Sequence, residues 1–562
     1  MLDFIVNIAI LPYLQQRSVA TMYIETLKKK QGNKIYKTIL IRESYRENGK
    51  VKHRTVSNIT KLPKKYVMSL KKIFKGEQGE FNVADLENGS VYEYGASYAF
   101  KELAKQVGLD KAICSTKEQW REDVMAMIIG RITCQGSKLH LINQYLNTGL
   151  WESAGHEYGV RPDVEENCYK PMDQLLLRKT RIEKKLASKH LKNGTLILYD
   201  MTNTWFEGEY SNSEKIVYGN PKGGKRGYKQ ISLGLLTNNE GCPVGVEIFK
   251  GNMSDQKTVL GQIKKLSKKY GITEAVFVGD RGMLTPKRID ELKETDFKII
   301  TALTHRELKS LVERENIQPD LFDQNNITEI IDSEDTGMRY MLCKNDNEMA
   351  KSRETRKKMI KKVSQQLSKK AAVKRKRDPL KVAASVGRIF ERCKIEKFFN
   401  WQVGEKGEFT WELKEYVIEQ EEELDGCYVI KTNANKNSID KEATVIGYRN
   451  LQKVEQAFKN MKTILLELRP IYHKTDKRVE AYIFIVMLAY YLQWHAMQRL
   501  KPLFDADGVG KNRLWTFETV VERLKHICKV ENIVGDIVIK TNISKPQKDQ
   551  QCILDLLNVK LL

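Results

Sequence analysis

The run Thr195–Asp200, TLILYD, is a short apolar segment that ends in a carboxylate. Its length, its β-branched and aromatic residues and the preceding Gly194 predict a buried strand. Two more strand-like runs follow, KQISLGLL (229–236) and PVGVEIFKG (243–251), and the turn TNNEGC separates them. The three runs predict an antiparallel meander.

Helix and strand patterns alternate after this meander. A helix is predicted over 255–271, a strand over 274–280, a helix over 286–293 and a strand over 297–303. Strand–helix–strand crossovers are right-handed and place their helices on the faces of a sheet. The order therefore predicts an α/β fold, a mixed sheet with flanking helices.

The N-terminal part of the chain has a different texture. Two alternating runs between Tyr36 and Ile59 flank Glu47-Asn48-Gly49-Lys50, which predicts a basic β-hairpin. The hairpin suits a solvated face or a phosphate-contacting ribbon equally. Residues 85–192 are predicted to be helical and to form a DNA-binding domain.

The regular alternation is lost between residues 304 and 440. Within this stretch, residues 351–377 hold thirteen Lys or Arg and one acid, Glu354. A solvated helix and a nucleic-acid-facing segment both fit this run, and the net charge of the chain favours the second. Residues 441–500 and the tail that follows are predicted to be helical.

The composition of the 562 residues indicates the kind of partner. The net charge of +24 points to a polyanion, most simply nucleic acid. No lipidation motif or basic amphipathic helix indicates a membrane, and the apolar run 482–492 is too short to span one. It is predicted to be a buried helix. The nine cysteines are scattered without a C-x-x-C pair, which fits a reducing cytoplasm.

Three acids are the candidate catalytic residues. Asp200 and Asp280 are each predicted to end an apolar strand, and Glu455 lies on a later helix. In sheets with crossover connections, ligands bind at the carboxyl ends of the strands. Oxygen ligands suit Mg²⁺ or Mn²⁺, and two such ions can drive phosphoryl transfer. An aspartate after a strand is also a common turn former or helix cap, so each acid alone has an ordinary structural explanation.

Competing chemistries lack their motifs. The eight histidines are dispersed, and neither a P-loop nor a G-x-S-x-G elbow is present. The stretch Lys222–Gly227, which contains Lys225 and Arg226, is glycine-rich and basic but precedes a strand. It is interpreted as a loop that contacts phosphates.

Four motifs in order resemble those of the DDE transposases of bacterial insertion sequences, in the group with a Tyr-Arg-Glu-Lys signature. They are YDMTNTWFEG (199–208), GNMSD (251–255), VGDRGM (278–283) and YRNLQKVEQAFKNMK (448–462) followed by LRPIYHKTDKRVEAYIFIVMLAYYL (468–492). The segment 44–63 also resembles the N-terminal region of this family. The resemblance covers most of the chain.

The resemblance implies an RNase H-like core interrupted by a β-rich insertion. In chain order, the implied regions are an N-terminal hairpin region 1–84, with an alternative start at Met22; a helical DNA-binding domain 85–192; the first part of the core 193–303; the insertion 304–440; the glutamate helix and the helix after it 441–500; and a helical tail 501–562.

The resemblance also implies the reaction. Asp200, Asp280 and Glu455 would bind two Mg²⁺ ions, for which Mn²⁺ can substitute. The enzyme would nick DNA at the inverted repeats of the element and join the free 3′-hydroxyls to target DNA, as a homodimer or larger assembly in the cytoplasm, at the nucleoid. A non-catalytic DNA-binding descendant and a structure-specific nuclease are the alternatives. Trp401 or Trp205 would stack a flipped base.

The last motif departs from the family pattern at one position. Tyr448, Leu451, Glu455 and Lys462 fall on one stripe of a helix, but Leu451 stands where the signature has arginine. Arg449 and Lys459 are the candidate substitutes, although both lie off the stripe. A second departure is Ala481-Tyr482, where an Ala-His pair is expected. The predicted DNA contacts are Tyr448, Lys462, Arg449, Lys459, Arg281, Lys225 and Arg226.

Overall fold

The computed structural model describes residues 21–31, 34–47, 50–75, 87–222, 225–331, 337–463, 466–508, 510, 513–534 and 537–561. The alternative start region before residue 21 and the hairpin turn at 48–49 lie outside this range. The chain divides into two compact units, residues 1–179 with 460–562 and residues 180–459. Among the described helices, none has the length and apolar character of a membrane span.

Strands and helices are numbered in chain order. The described strands are β1 (Thr21–Gln31), β2 (Lys34–Glu47), β3 (Lys50–Asn58), β4 (Glu87–Glu93), β5 (Leu196–Trp205), β6 (Val217–Tyr218), β7 (Lys229–Asn238), β8 (Pro243–Lys250), β9 (Val276–Val278), β10 (Lys298–Ala302), β11 (Thr328–Ile331), β12 (Arg339–Lys344), β13 (Phe399–Val403), β14 (Phe409–Leu413), β15 (Cys427–Thr432), β16 (Cys528–Val534) and β17 (Ile537–Ile543). The described α-helices are α1 (Lys64–Ile73), α2 (Gly95–Gln106), α3 (Leu109–Ile113), α4 (Gln119–Thr133), α5 (Lys138–Asn143), α6 (Leu150–Ser153), α7 (Lys170–Leu177), α8 (Lys179–His190), α9 (Gln256–Lys265), α10 (Pro286–Leu292), α11 (His305–Arg314), α12 (Asp346–Ala371), α13 (Pro379–Cys393), α14 (Glu415–Glu423), α15 (Lys441–Arg449), α16 (Leu451–Lys462), α17 (Asp476–Ala506), α18 (Phe517–Lys525) and α19 (Lys548–Leu556).

The first unit begins with a three-stranded antiparallel sheet in the order β1-β2-β3. Glu47 pairs with Lys50, so the predicted hairpin is confirmed. β1 was not predicted, and it adds a third strand beside β2. Helix α1 covers the sheet with Tyr66, Val67 and Leu70, which are buried with apolar residues of the strands.

Helices form most of the first unit. Between residues 95 and 190 the described chain is largely helical, as expected for this region. The apolar run 482–492 lies inside α17 and is buried along its whole length, which confirms the prediction of a buried helix. α4 is likewise almost entirely buried, and it packs against α17.

Two predictions for the first unit are wrong. Residues 87–93 form β4 and not helix, and the tail after 500 is not purely helical, because it contains β16 and β17. These three strands form one antiparallel sheet in the order β17-β16-β4. The tail strands are rich in Val and Ile, which favour strands, but their partner lies at the opposite end of the chain.

A mixed sheet forms the centre of the second unit. Its main path runs β11-β12-β15-β10-β9-β5-β7-β6, with β8 also paired to β7. β5, β7 and β8 form the predicted antiparallel meander, and β9 and β10 run parallel to β5. Counting these five strands in chain order, the sheet reads 3-2-1-4-5. This is the RNase H-like arrangement, so the predicted fold class is confirmed.

The sheet is buried because its strands are apolar along their length. Tyr199 on β5, Phe277 on β9 and Ile299 on β10 are all fully buried in one cluster with residues of α9 and α10. Glycine is required at Gly234 of β7, because a Cβ there would lie 2.4 Å from the Tyr199 hydroxyl. This close contact fixes the position of β5 against β7.

The insertion between residues 304 and 440 is more helical than the resemblance implied. β11, β12 and β15 extend the main sheet, and β13 and β14 form a separate hairpin. The two longest elements are the helices α12 and α13, which pack together around Val363, Leu367 and Phe390. Lys, Arg, Gln and Met dominate α12 and favour helix, which explains the difference.

Candidate active site

Asp200 and Asp280 lie on two neighbouring parallel strands, but only Asp280 follows a strand end. The prediction that Asp200 ends its strand is wrong, because β5 stays paired with β7 as far as Trp205. β5 and β9 are parallel, and Leu198 pairs with Val278. Each aspartate stands two residues beyond its member of that pair, and adjacent strands are about 4.8 Å apart. The apolar residues before both aspartates are buried, whereas Asp200 is half-buried and Asp280 is exposed.

Asp280 is held in a tight turn. Its Oδ1 accepts a hydrogen bond from the backbone N–H of Arg281 at 2.7 Å, and its carbonyl accepts one from Met283 at 2.9 Å. Met283 and Leu284 are buried and anchor the turn to the core. The turn-forming role and a functional role are therefore compatible, because no hydrogen bond from the described residues reaches Asp280 Oδ2.

Electrostatic coupling shows that Asp200 is close to the other two acids. Burial is the main cause that raises the pKa of Asp200 to about 6, and the negative charges of Glu455 and Asp280 raise it further. The hydrogen bond from the Met201 N–H to Asp200 Oδ1, 2.6 Å long, opposes this shift, as does the positive charge of Lys222. The negative charges of Asp280 and Glu455 thus act on Asp200, but among the described residues the carboxylate oxygens of these three acids do not all lie within 4.8 Å of one another.

Two consecutive helices, α15 and α16, contact the sheet, and α16 carries Glu455. A Cβ at Gly447 on α15 would lie 3.0 Å from Leu196 Cδ1 of β5. At the start of α16, Asn450 Nδ2 donates to Asn239 Oδ1 at 2.8 Å, and Lys453 Nζ donates to the Asn239 carbonyl at 3.1 Å. Asn239 lies in the β7–β8 turn, so this turn positions the glutamate helix.

The predicted continuous helix is interrupted at Asn450, which ends α15 before α16 begins. Tyr448 therefore lies on α15, whereas Leu451, Glu455 and Lys462 lie on α16, so the four residues do not share one face of a single helix. Tyr448 nevertheless stays near the site: burial raises its pKa to about 12, and the charges of Asp280 and Glu455 act in the same direction. The positive charge of Arg281 acts in the opposite direction, so Arg281 also lies near Tyr448.

Leu451 occupies a buried position at the start of α16, one helical turn before Glu455. It is 9% exposed, and Val454, Ala457 and Phe458 continue the same buried side. Glu455 and Lys459 are exposed, and Lys462 is half-buried. Leucine at 451 is thus explained by packing.

The other predicted DNA contacts are spread over loops and helix surfaces. Arg449 is exposed and donates to the Tyr428 hydroxyl at 2.8 Å. Lys225 lies 3.6 Å from the carboxylate of Glu207 and 5.5 Å from the ring centre of Tyr228. Arg226 is exposed, like Lys225 and Arg281.

The two candidate stacking residues also differ in setting. Trp205 ends β5, with the Lys225 ammonium 5.9 Å from its ring centre. Trp401 faces Trp411 across the β13–β14 hairpin of the insertion and donates to Glu396 at 3.1 Å.

Lys222 is a site residue that sequence reasoning did not single out. It forms an ion pair with Asp255, and its Nζ lies 3.4 Å from the Met201 carbonyl next to Asp200. Asp255 belongs to the GNMSD motif, and Lys222 opens the glycine-rich basic loop. The two motifs are far apart in the sequence, and only the fold shows that they meet beside Asp200.

Comparison with known proteins agrees with this geometry. A family model described as transposase DDE domain matches residues 193–492, and a model of the IS1634 family transposase N-terminal domain matches residues 24–84. No curated protein shows a significant match to the chain.

Two solved structures are similar in part. One is a piggyBac transposase synaptic complex with hairpin DNA, which is 10% identical, has a TM-score of 0.34 and covers 76% of this chain and 75% of its own. The other is a Mos1 transposase paired-end complex with the left transposon end, at 12% identity, a TM-score of 0.14, and coverage of 32% and 57%. Because the DDE model spans more than half of the 562 residues, the chain belongs to the transposase DDE domain family.

Proposed function

We propose that this chain is a transposase that binds the ends of an insertion sequence, cleaves the DNA there and joins the 3′-hydroxyl ends to target DNA. One observation carries the proposal, namely that the negative charges of Asp280 and Glu455 act on Asp200 in a strongly basic protein. The two aspartates come from neighbouring strands and the glutamate from a helix fixed to the same sheet. A DNA-binding protein without catalysis has no need for such a cluster.

The acids fit a divalent metal. Their donor atoms are all carboxylate oxygens, which Mg²⁺ and Mn²⁺ prefer, and their mutual repulsion helps to raise the pKa of Asp200. A nearby cation would relieve that repulsion. Asp200, Asp280 and Glu455 would hold two Mg²⁺ ions. When bound, such ions activate a nucleophilic oxygen and stabilise charge on the phosphate.

The side chains around the acids would position the DNA strand. Tyr448 is half-buried beside Asp280 and Glu455, and its raised pKa keeps its hydroxyl protonated as a hydrogen-bond donor to a phosphate oxygen. Lys222 supplies positive charge near Asp200, and Arg281 supplies it near Tyr448. Lys225, Arg226, Arg449, Lys459 and Lys462 would extend the phosphate-binding surface.

Cleavage of the element's own ends tests the proposal. The purified protein is incubated with DNA that carries these ends and a target plasmid, with Mg²⁺ and with EDTA. We expect Mg²⁺-dependent nicks at the ends and joined products. Glu455→Gln removes one charge at nearly constant volume, and we expect it to lower the cleavage rate by at least about 100-fold, the scale of one lost electrostatic contribution.

Glu442→Gln is the matched control, because Glu442 is an exposed glutamate on the preceding helix α15. It should cleave at the wild-type rate. Cleavage by Glu455→Gln at the wild-type rate would refute the assignment. Binding without cleavage in any divalent cation would favour a non-catalytic DNA-binding protein, and cleavage without joining would favour a nuclease.

A further inference from the structure

The first unit contains a partly enclosed cavity of about 400 Å³. Its wall combines the loop before α5 with the segment before α17. The polar and aromatic side chains of the wall are Ser137, Lys138, Tyr169, Tyr472, His473 and Tyr482. No carboxylate is among the described residues that line it.

Lys138 is the charged residue of this cavity, and it is buried without a counter-ion. The residue is only 6% exposed. Within the described ranges its ammonium forms no ion pair or hydrogen bond, and it faces the Tyr482 ring, whose centre is 5.4 Å away. Lysine is almost never buried without a partner, so this arrangement requires an explanation.

A second buried cation stands behind the same tyrosine. Arg131 is 4% exposed, and its guanidinium carbon lies 5.0 Å from the Tyr482 ring centre. One guanidinium nitrogen donates to the Tyr482 hydroxyl. Nε and Nη1 of Arg131 have no hydrogen-bond partner in the part of the chain that the structure describes.

No carboxylate among the described lining residues balances the charge of Lys138, and near pH 7 only part of the Lys138 side chains carry this charge. Burial lowers the pKa of Lys138 to about 7, and the charge of Arg131 lowers it further. Burial lowers the pKa of His473 to about 3, and the charges of Lys138, Arg478 and Arg131 act in the same direction. An anion that enters the cavity would meet Lys138 in a site of low dielectric, where the attraction is strong.

The aromatic rings in the cavity wall indicate which class of anion would bind there. Tyr472 is 63% exposed, and Tyr169 is half-buried. Aromatic rings of this kind stack against bases, and ammonium groups bind phosphate. We propose that this cavity binds a nucleotide, with its phosphate at the Lys138 ammonium and its base against the Tyr472 ring.

This cavity also gives a role to the second departure from the family pattern. Tyr482 replaces the expected histidine, and its ring forms part of the wall while its hydroxyl holds Arg131. Histidine has no hydroxyl group that could accept this hydrogen bond from Arg131. The nucleotide can be free or part of a DNA strand, because the phosphate and the base are the same chemical groups in both.

Nucleotide binding is measured by calorimetry on the intact chain in EDTA, which keeps the result independent of cleavage and therefore of the proposed function. The probes are dTMP, thymidine and inorganic phosphate. We expect dTMP to bind more tightly than either of the other two. Lys138→Met should weaken dTMP binding by about 10- to 100-fold, the effect of losing one charged hydrogen bond.

Lys101→Met is the matched control. Lys101 is a half-buried lysine of the same unit whose ammonium already donates to the Ser153 carbonyl. It should leave dTMP binding unchanged. Tyr472→Ala removes an exposed ring, so it should fold normally, and it should weaken dTMP binding but not phosphate binding.

The outcomes separate the cases clearly. Equal affinity for thymidine and dTMP, or full binding by Lys138→Met, would overturn the proposal. Equal affinity for phosphate and dTMP would overturn the base contact. Competition by a dT tetramer would identify a DNA strand as the source, and its failure to compete would identify a free nucleotide.

Discussion

Leu451 departs from the family pattern at a position that is buried in the structure. A guanidinium at this position would lie among the buried residues of α16, which include Val454 and Ala457. Burial of an unpaired charge is costly, so leucine suits the packing of this helix. Positive charge near Asp200 comes from Lys222 instead, and Arg281 supplies positive charge near Tyr448.

Asp200 makes a prediction about pH. Its pKa of about 6 in the folded state lies above that of an unfolded aspartate, about 3.9. Between these values the folded state binds more protons, so its stability falls as pH rises from about 4 to about 6 and stays lowered above that range. Asp200→Asn should therefore stabilise the protein by about 1 to 3 kcal/mol at pH 7 and by nothing at pH 4.

Thermal unfolding from pH 4 to 8 measures this difference. Asp296→Asn is the control, because Asp296 is exposed, and it should change stability little at any pH. A gain for Asp200→Asn that is equal at pH 4 and pH 7 would contradict titration of the buried carboxyl as its cause. Mg²⁺ should raise the unfolding temperature of the wild type more than that of Asp200→Asn, because a bound ion stabilises the folded state.

At the scale of elements, local patterns predicted the five central strands of the mixed sheet well. β5, β7, β8, β9 and β10 are apolar runs with clear turns between them, and their order determined the predicted sheet. Asn450 was harder, because a single turn residue that separates α15 from α16 leaves the helical periodicity almost unchanged. The β17-β16-β4 sheet could not be predicted, because it depends on pairing between segments far apart in the chain.

The basic run 351–377, in helix α12 and the loop after it, is predicted to face nucleic acid. Arg353 and Arg356 form ion pairs with Asp425, but Lys369, Arg375 and Lys376 form none with the described residues. These three line a groove of about 760 Å³ between α12 and α13. We expect the groove to contact DNA phosphates.

Replacing Lys369, Arg375 and Lys376 together by Gln should weaken DNA binding and make it less salt-dependent. If each contacts one phosphate, the slope of log affinity against log salt should decrease by about 2.7. Fluorescence anisotropy in EDTA at several salt concentrations measures the slope. The matched control replaces Lys264, Lys268 and Lys269, which are exposed near the end of α9. Equal slopes for the two triple variants would make α12 an ordinary solvated helix.

At the scale of the whole molecule, the two ends of the chain belong to one unit. The first unit combines residues 1–179 with 460–562, and the second is continuous from 180 to 459. The glutamate helix α16 therefore begins in the second unit and ends in the first. The net charge of +24 follows from the composition and predicts a polyanionic partner. The division into two units could not be predicted, because it depends on contacts between segments far apart in the chain.

Joining two element ends to a target requires two sets of acids, because one chain supplies a single Asp200, Asp280 and Glu455. We therefore expect at least two copies of the 65.1 kDa chain in the active complex with DNA. Mass photometry with end DNA in Ca²⁺, which slows cleavage, should show two chains and two DNA ends. When wild type is mixed with Glu455→Gln, mixed complexes should accumulate products joined at one end only. A mixture that yields only doubly joined products, in proportion to the wild-type fraction, would show that one chain completes both joining steps.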